Sequence, residues 1–303
     1  MSNSMKTLME NFQRYTKSVL KEEADPSKLD PSKFPLPLSK VHPSAARTYV
    51  KSGEPELDQN REDDTIPVTP KDSILPAKSL KPSQTSMNMK KAMAFVIQML
   101  HPKGKLKPGG NLGAFVSQDK FIMDGHHRWI ATGMIDPTLS LGGYYVEWPG
   151  KQLVAVLNTI TKGKLGIMKG KPASGGFDQF QESEIRKWLN TYLQEGVWDN
   201  LKAEDVQGAI ENWTQQQGDA AVEAAVEKML GNLGQLTLSA PSWAPEREDM
   251  PVIDKDQVSG ADAIAVDALK TGKVDVNPPY GADAMVKKAR KTKAKGPNLP
   301  KDI

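Results

Sequence analysis

Between Phe121 and Met134 the hydrophobic pattern changes its period without a spacer. Phe121-Ile122-Met123 is an unbroken apolar run, while Trp129, Ile130 and Met134 recur at helical spacing, and only Asp124-Gly125 stands at the junction. A strand that passes into a helix across so few residues forces a tight turn, and it commits this stretch to an α/β arrangement with the helix packed back on a sheet.

The neighbouring segments extend the same architecture. Ala92, Met93, Phe95, Val96, Met99 and Leu100 predict a helix over 86–100, stopped by Pro102 and Gly104. Residues 112–117 and 121–123 predict a hairpin joined at Gln118-Asp119-Lys120. A strand over 144–148 and a helix over 152–161 would close the unit. Upstream, Ile66, Val68 and Ile74-Leu75 read as short extended pieces interrupted by Pro67, Pro70 and Pro76. The sequence therefore predicts a small α/β domain over 64–162.

The rest of the chain divides around it. Gly163, Gly166, Gly170, Gly175 and Gly176 mark 163–182 as a Gly/Lys-rich loop. Three apolar faces, starting at Ile185, Val206 and Val222, predict a helical region over 183–240 packed on the domain. Met5, Leu8, Met9, Phe12, Tyr15, Val19 and Leu20 predict an amphipathic helix over 4–22 within a 1–22 segment. Its apolar face packs either on its own domain or on a protein partner. Residues 23–63, rich in Pro, Ser and charged side chains, read as a linker, which favours a tethered docking helix. After Pro241 apolar periodicity fades, so 241–303 is expected to be of low order. It ends with Lys287, Lys288, Arg290, Lys291, Lys293 and Lys295, a run suited to phosphates or to solvation.

Composition narrows the chemistry. With no cysteine, disulfides, thiolate zinc sites and cysteine nucleophiles are excluded together. A net charge of +3 over 303 residues makes no global field of the kind that marks a nucleic-acid binder. There is no apolar leader at the N-terminus and no run near the roughly 18 apolar residues of a membrane span. A cytoplasmic protein that makes no membrane contact is the expectation.

The turn carries the candidate chemistry. A helix starting at His126 leaves backbone N–H groups facing out of the turn, with the positive end of the helix dipole behind them. Such a place suits an anion. Gly125 permits the tight turn, Arg128 can fork onto phosphate oxygens, and His126 and His127 can donate hydrogen bonds or move protons. Asp124 can orient an imidazole, hold magnesium, or simply cap the helix. Two of the chain's four histidines stand side by side here, beside Gly and Arg, which packing alone does not account for.

The string Phe121-Ile-Met-Asp-Gly-His-His-Arg-Trp-Ile-Ala131 resembles the signature of the ParB and sulfiredoxin superfamily, especially its ParB-like nuclease members. Leu80-Lys-Pro-Ser-Gln84, followed by Lys90 and Lys91, resembles the segment that precedes the first helix in those proteins. The resemblance covers residues 64–150. It implies a sulfiredoxin-like fold in which Gly125, His126, His127 and Arg128 cradle a nucleoside triphosphate, ATP or CTP, with Mg2+. Asp124, His126 and His127 become candidate catalytic residues, and Gln84, Asp72 and Asp64 are further candidates. The family's chromosome-partitioning members carry Arg-Arg where this chain has His127-Arg128, no helix-turn-helix follows, and the sulfiredoxin cysteine is missing.

Three functions follow as expectations. The first is a nucleotide-binding hydrolase or phosphotransferase. The second is a nuclease or DNA-associated protein aided by the basic tail. The third is a non-enzymatic binding protein that docks through helix 4–22. The opening Met5-Lys-Thr-Leu-Met-Glu-Asn-Phe12 is similar to the starts of some proteins of large marine tailed phages, which would place the chain in a host cytoplasm or a virion.

Overall fold

The computed structural model describes residues 65–163, 165, 175–247, 250–253 and 258–273. The expected helix 4–22, the linker 23–63, Asp64 and the basic run from Lys287 lie outside these residues.

Mixed α/β architecture is present, built on a five-stranded sheet. Its strands are β1 (Val68–Pro76), β2 (Lys81–Pro82), β4 (Gly110–Ser117), β5 (Phe121–Asp124) and β6 (Ser140–Val146), in the order β1-β6-β4-β5-β2. β1 runs antiparallel to β6 and β4 antiparallel to β5, whereas β4–β6 and β2–β5 are parallel. Two-residue strands β3 (Ser86–Met87) and β7 (Gly175–Gly176) form a separate antiparallel pair. Seven α-helices occur among the described residues: α1 (Met89–Leu100), α2 (His126–Ile135), α3 (Gly150–Gly163), α4 (Glu182–Glu195), α5 (Ala203–Thr214), α6 (Gly218–Leu233) and α7 (Ala261–Lys270).

Strand alternation sorts the side chains into two cores. Leu112, Ala114 and Val116 of β4 and Ile122 of β5 face a cluster with Met93, Ile97, Trp129 and Ile130 of α1 and α2. Phe115 and Met123, one residue out of phase, face Leu153, Val154 and Leu157 of α3 and Ala265 and Leu269 of α7. The sheet thus carries helices on both faces. The first cluster continues without a break into Ile185, Leu189, Val206, Ile210, Val226 and Met229, so the helical region shares the core of the α/β unit. Polar contacts fasten the same junction. Tyr192 donates to the Lys90 carbonyl at 2.7 Å, and the Asn232 amide donates to the Met134 and Ile135 carbonyls at 2.8 and 2.9 Å, satisfying the C-terminal end of α2.

Several boundaries differ from the sequence expectation, each for a local reason. The interrupted pieces near Pro70 are one nine-residue strand, because β1 lies at the sheet edge, where a residue without an N–H is tolerated. α1 begins at Met89 rather than 86: the Asn88 side chain accepts from the Lys91 N–H at 2.9 Å and caps it. β6 begins at Ser140, four residues before the expected start, and runs through Gly142-Gly143. A Cβ at Gly143 (φ 150°) would fall 2.1 Å from the Ala114 carbonyl oxygen, so the glycine admits a close approach of β4 that side-chain alternation does not announce. Within the expected loop, Gly175-Gly176 pair with Met87 and Ser86, and a 3-10 turn, Phe177–Gln179, leads into α4.

The expectation of low order after Pro241 fails for the described part of that region. Trp243 packs edge-on against Phe121 at 5.0 Å, Met250 and Ile253 are buried, and α7 buries Ala261, Ala265, Ala268 and Leu269 against α3 and β1. The apolar face of α7 is built mostly of alanine, so its periodicity is faint in sequence although its packing is tight.

Candidate functional site

The site forms where β5 ends. β2 and β5 run parallel, so both strands deliver their C-terminal ends to one place: β5 to the Asp124-Gly125 turn and β2 to the Ser83–Ser86 loop. Gly125 is the N-cap of α2, at φ 98° and ψ 14°, a left-handed conformation that favours glycine. A Cβ there would also press to 3.3 Å on Ala114. Having no side chain, Gly125 offers no cap to the first N–H groups of α2, which begin the helix at His126. Asp124 is therefore not the cap. It ends β5, opposite Phe115.

Arg128 sits one turn into α2. Its Nη2 donates to Asp124 Oδ2 at 2.9 Å, with both side chains about a quarter exposed. Its Nη1 lies beside Gly113, in the bulge where Asn111 pairs with Gly142 and Ala114 already pairs with Gly143. Two glycine backbones, Gly113 and Gly125, thus leave room for the guanidinium.

The histidines face the 83–88 loop. Both are buried. The Ser83 N–H donates to His126 Nε2 at 3.1 Å, and the Asn88 N–H donates to His127 Nε2 at 3.3 Å. Each ring accepts at Nε2, so each carries its proton on Nδ1. Burial, followed by the charges of Arg247 and Arg128, lowers the His126 pKa from 6.5 to about 3. Burial also holds His127 well below its ordinary value, with Arg247, Lys91, His126 and Arg128 acting the same way. At neutral pH both imidazoles are uncharged struts that hold the 83–88 segment against the turn. Ser83 braces it further by donating its hydroxyl to the Ile122 carbonyl.

Of the further candidates, Gln84 is brought to the site. It is buried and donates to the Ser86 carbonyl at 2.7 Å, which stiffens the loop. Asp72 is not. It lies exposed on β1, at the edge of the sheet, with β6 and β4 between it and β5.

Sequence reasoning missed Arg247. The segment 243–247 is fastened to the site loop: the Thr85 N–H donates to the Pro245 carbonyl at 3.1 Å, Ser86 Oγ donates to Glu246 Oε2 at 3.1 Å, and the Arg247 N–H donates to Ser86 Oγ at 3.3 Å. Arg247 is half-buried, and its charge acts on His126, His127 and Asp124. Burial lowers its pKa, and the Asp124 carboxylate opposes that shift. The available signal was Trp243 between Pro241 and Pro245, since a lone Trp in a proline-rich stretch usually packs on something.

Two guanidiniums, Lys91 and the Asp124 carboxylate thus gather around the uncapped start of α2, with the Glu246 carboxylate on the strap beside Ser86. That arrangement can hold an anion. Among the described residues no group of three or more His, Asp or Glu side chains is placed to hold a metal ion, and no helix is long and apolar enough to cross a membrane. No protein-family model matches the chain, and comparison with curated proteins and with solved structures produced no match.

Proposed function

We propose that this protein binds the phosphates of a nucleoside triphosphate at the start of α2. The observation that carries the reading is the convergence of Arg128 and Arg247, from segments more than a hundred residues apart, on the Gly125 turn. Bringing a second arginine beside a first costs electrostatic energy, which Asp124 offsets in part and a bound polyanion would offset further. The resemblance of Asp124-Gly-His-His-Arg128 to ParB and sulfiredoxin relatives points the same way.

Within this reading the two arginines and the α2 amides take the phosphate charge, and the neutral histidines keep the 83–88 loop in place. Asp124, paired with Arg128, does not by itself make a metal site, so Mg2+ would arrive on the phosphates, which suits an ion that binds through few protein carboxylates. Hydrolysis or transfer of the phosphoryl group is the proposed outcome of binding. For it the imidazoles are poor bases, because each Nε2 already accepts a backbone N–H.

Calorimetric titration with ATP, CTP and GTP in the presence of Mg2+ tests the reading. Arg128→Ala and Arg247→Ala should each weaken binding by about 10-fold or more, the worth of a charge-assisted hydrogen bond. Binding that is unchanged in both variants, or absent from the unaltered protein, would remove the proposal.

A further inference from the structure

Trp198 stands 46% exposed, the large exposed apolar side chain among the described residues. Its backbone is left-handed, at φ 51°, a conformation that costs an aromatic residue free energy and that Gly or Asn would adopt with less strain. The loop presenting it is fastened to the core. Val197 and Leu201 exchange backbone hydrogen bonds of 2.8 and 3.3 Å and are both buried, and the Asn200 and Gln98 amides pair reciprocally at 2.9 and 3.2 Å. A tryptophan held in a left-handed conformation with nearly half of its surface left open fits a surface made for contact.

Its neighbours say which contact. The Trp198 ring meets Phe95 at 5.4 Å with an interplanar angle of 83°, and Phe95 meets His127 at 6.5 Å. Lys91 Nζ lies 5.6 Å from the centre of the Phe95 ring. A strip of surface made of Lys91, Phe95 and Trp198 therefore leads away from the α2 turn, with the buried His127 ring against Phe95 at its near end. An extended nucleoside triphosphate is long enough to bridge two such ring-to-ring steps.

We propose that Trp198 is the base subsite of the nucleotide site, stacking on the nucleobase while the phosphates lie at Gly125, Arg128 and Arg247. This rests on the phosphate reading above and adds a ligand class to it: a base-bearing mononucleotide, with little choice among bases, because every base has a π-face. Stacking of this kind accounts for about 5- to 150-fold in affinity.

The test compares ATP with inorganic tripolyphosphate on the full chain, using the unaltered protein, Trp198→Ala and Trp198→Phe. Trp198→Ala should weaken ATP by about 5-fold or more and leave tripolyphosphate unchanged, and Trp198→Phe should keep most of the ATP affinity. Tripolyphosphate bound as tightly as ATP, or equal effects of Trp198→Ala on both, would overturn the base subsite while leaving the phosphate site standing. Failure of the unaltered protein to bind either ligand would overturn both. A single-stranded oligonucleotide that binds through Trp198 where ATP does not would overturn the mononucleotide assignment.

Discussion

Arg128 Nη2 meets Asp124 Oδ2 at 2.9 Å across the left-handed Gly125, so the carboxylate that orients the guanidinium also competes for it. With both groups about three-quarters buried and Arg247 acting on the same carboxylate, the pair is more than a surface ion pair. Asp124→Asn should cost about 1–3 kcal/mol in urea unfolding, because it removes the carboxylate that offsets both guanidiniums. It should also strengthen tripolyphosphate binding at low salt, because a negative charge leaves the anion site. Weaker binding in this variant would show that orientation outweighs competition.

Gly125→Ala should be costly through the backbone instead. The new Cβ would sit in a left-handed conformation at φ 98° and 3.3 Å from Ala114, so a loss of about 1–3 kcal/mol is expected in thermal or urea unfolding.

The histidines predict acid sensitivity. In the unfolded chain His126 takes up a proton near 6.5, but in the folded protein only near 3, so the unfolded state binds more protons across that interval. Stability is therefore full above about pH 6.5 and falls as pH drops towards 3, at up to about 1.4 kcal/mol per pH unit for each such histidine. Because His127 is lowered as well, the slope should exceed one proton between pH 6 and 4. His126→Asn should flatten it by about one proton, read from urea midpoints across pH.

The 243–247 strap can be loosened without touching a charge. Ser86→Ala removes the hydroxyl that donates to Glu246 and accepts from the Arg247 N–H. It should cost about 1 kcal/mol and weaken nucleotide binding less than Arg247→Ala does. Equal effects of the two substitutions would show that placing Arg247 matters as much as its charge.

Ending the chain after Ala240 tests whether the C-terminal segment is part of the core. Ile253 and Leu269 are both nearly inaccessible, and uncovering their surroundings should cost at least about 3 kcal/mol. A truncated protein with unchanged melting behaviour would restore the low-order expectation.

How legible each part was depended on whether its cause lay nearby in sequence. The β4–β5 hairpin and helices α1, α2 and α4–α6 appear where their apolar periods predict them, because alternation and helical spacing are local consequences of facing one core. The turn at Gly125 was equally readable, since a strand and a helix separated by two residues leave few ways to connect. β6 was misjudged at its start because Gly142-Gly143 carry no side chain to show a face, and α7 was missed because alanines form a weak stripe.

The sequence alone determined the strand-turn-helix unit and the residue types at its apex. Only tertiary structure decided what those residues do. It buried His126 and His127 against backbone amides, left Asp72 on the far edge of the sheet, and brought Arg247 to the turn through Ser86. Burial, charge and long-range backbone pairing depend on which distant segments meet, and no local period records that.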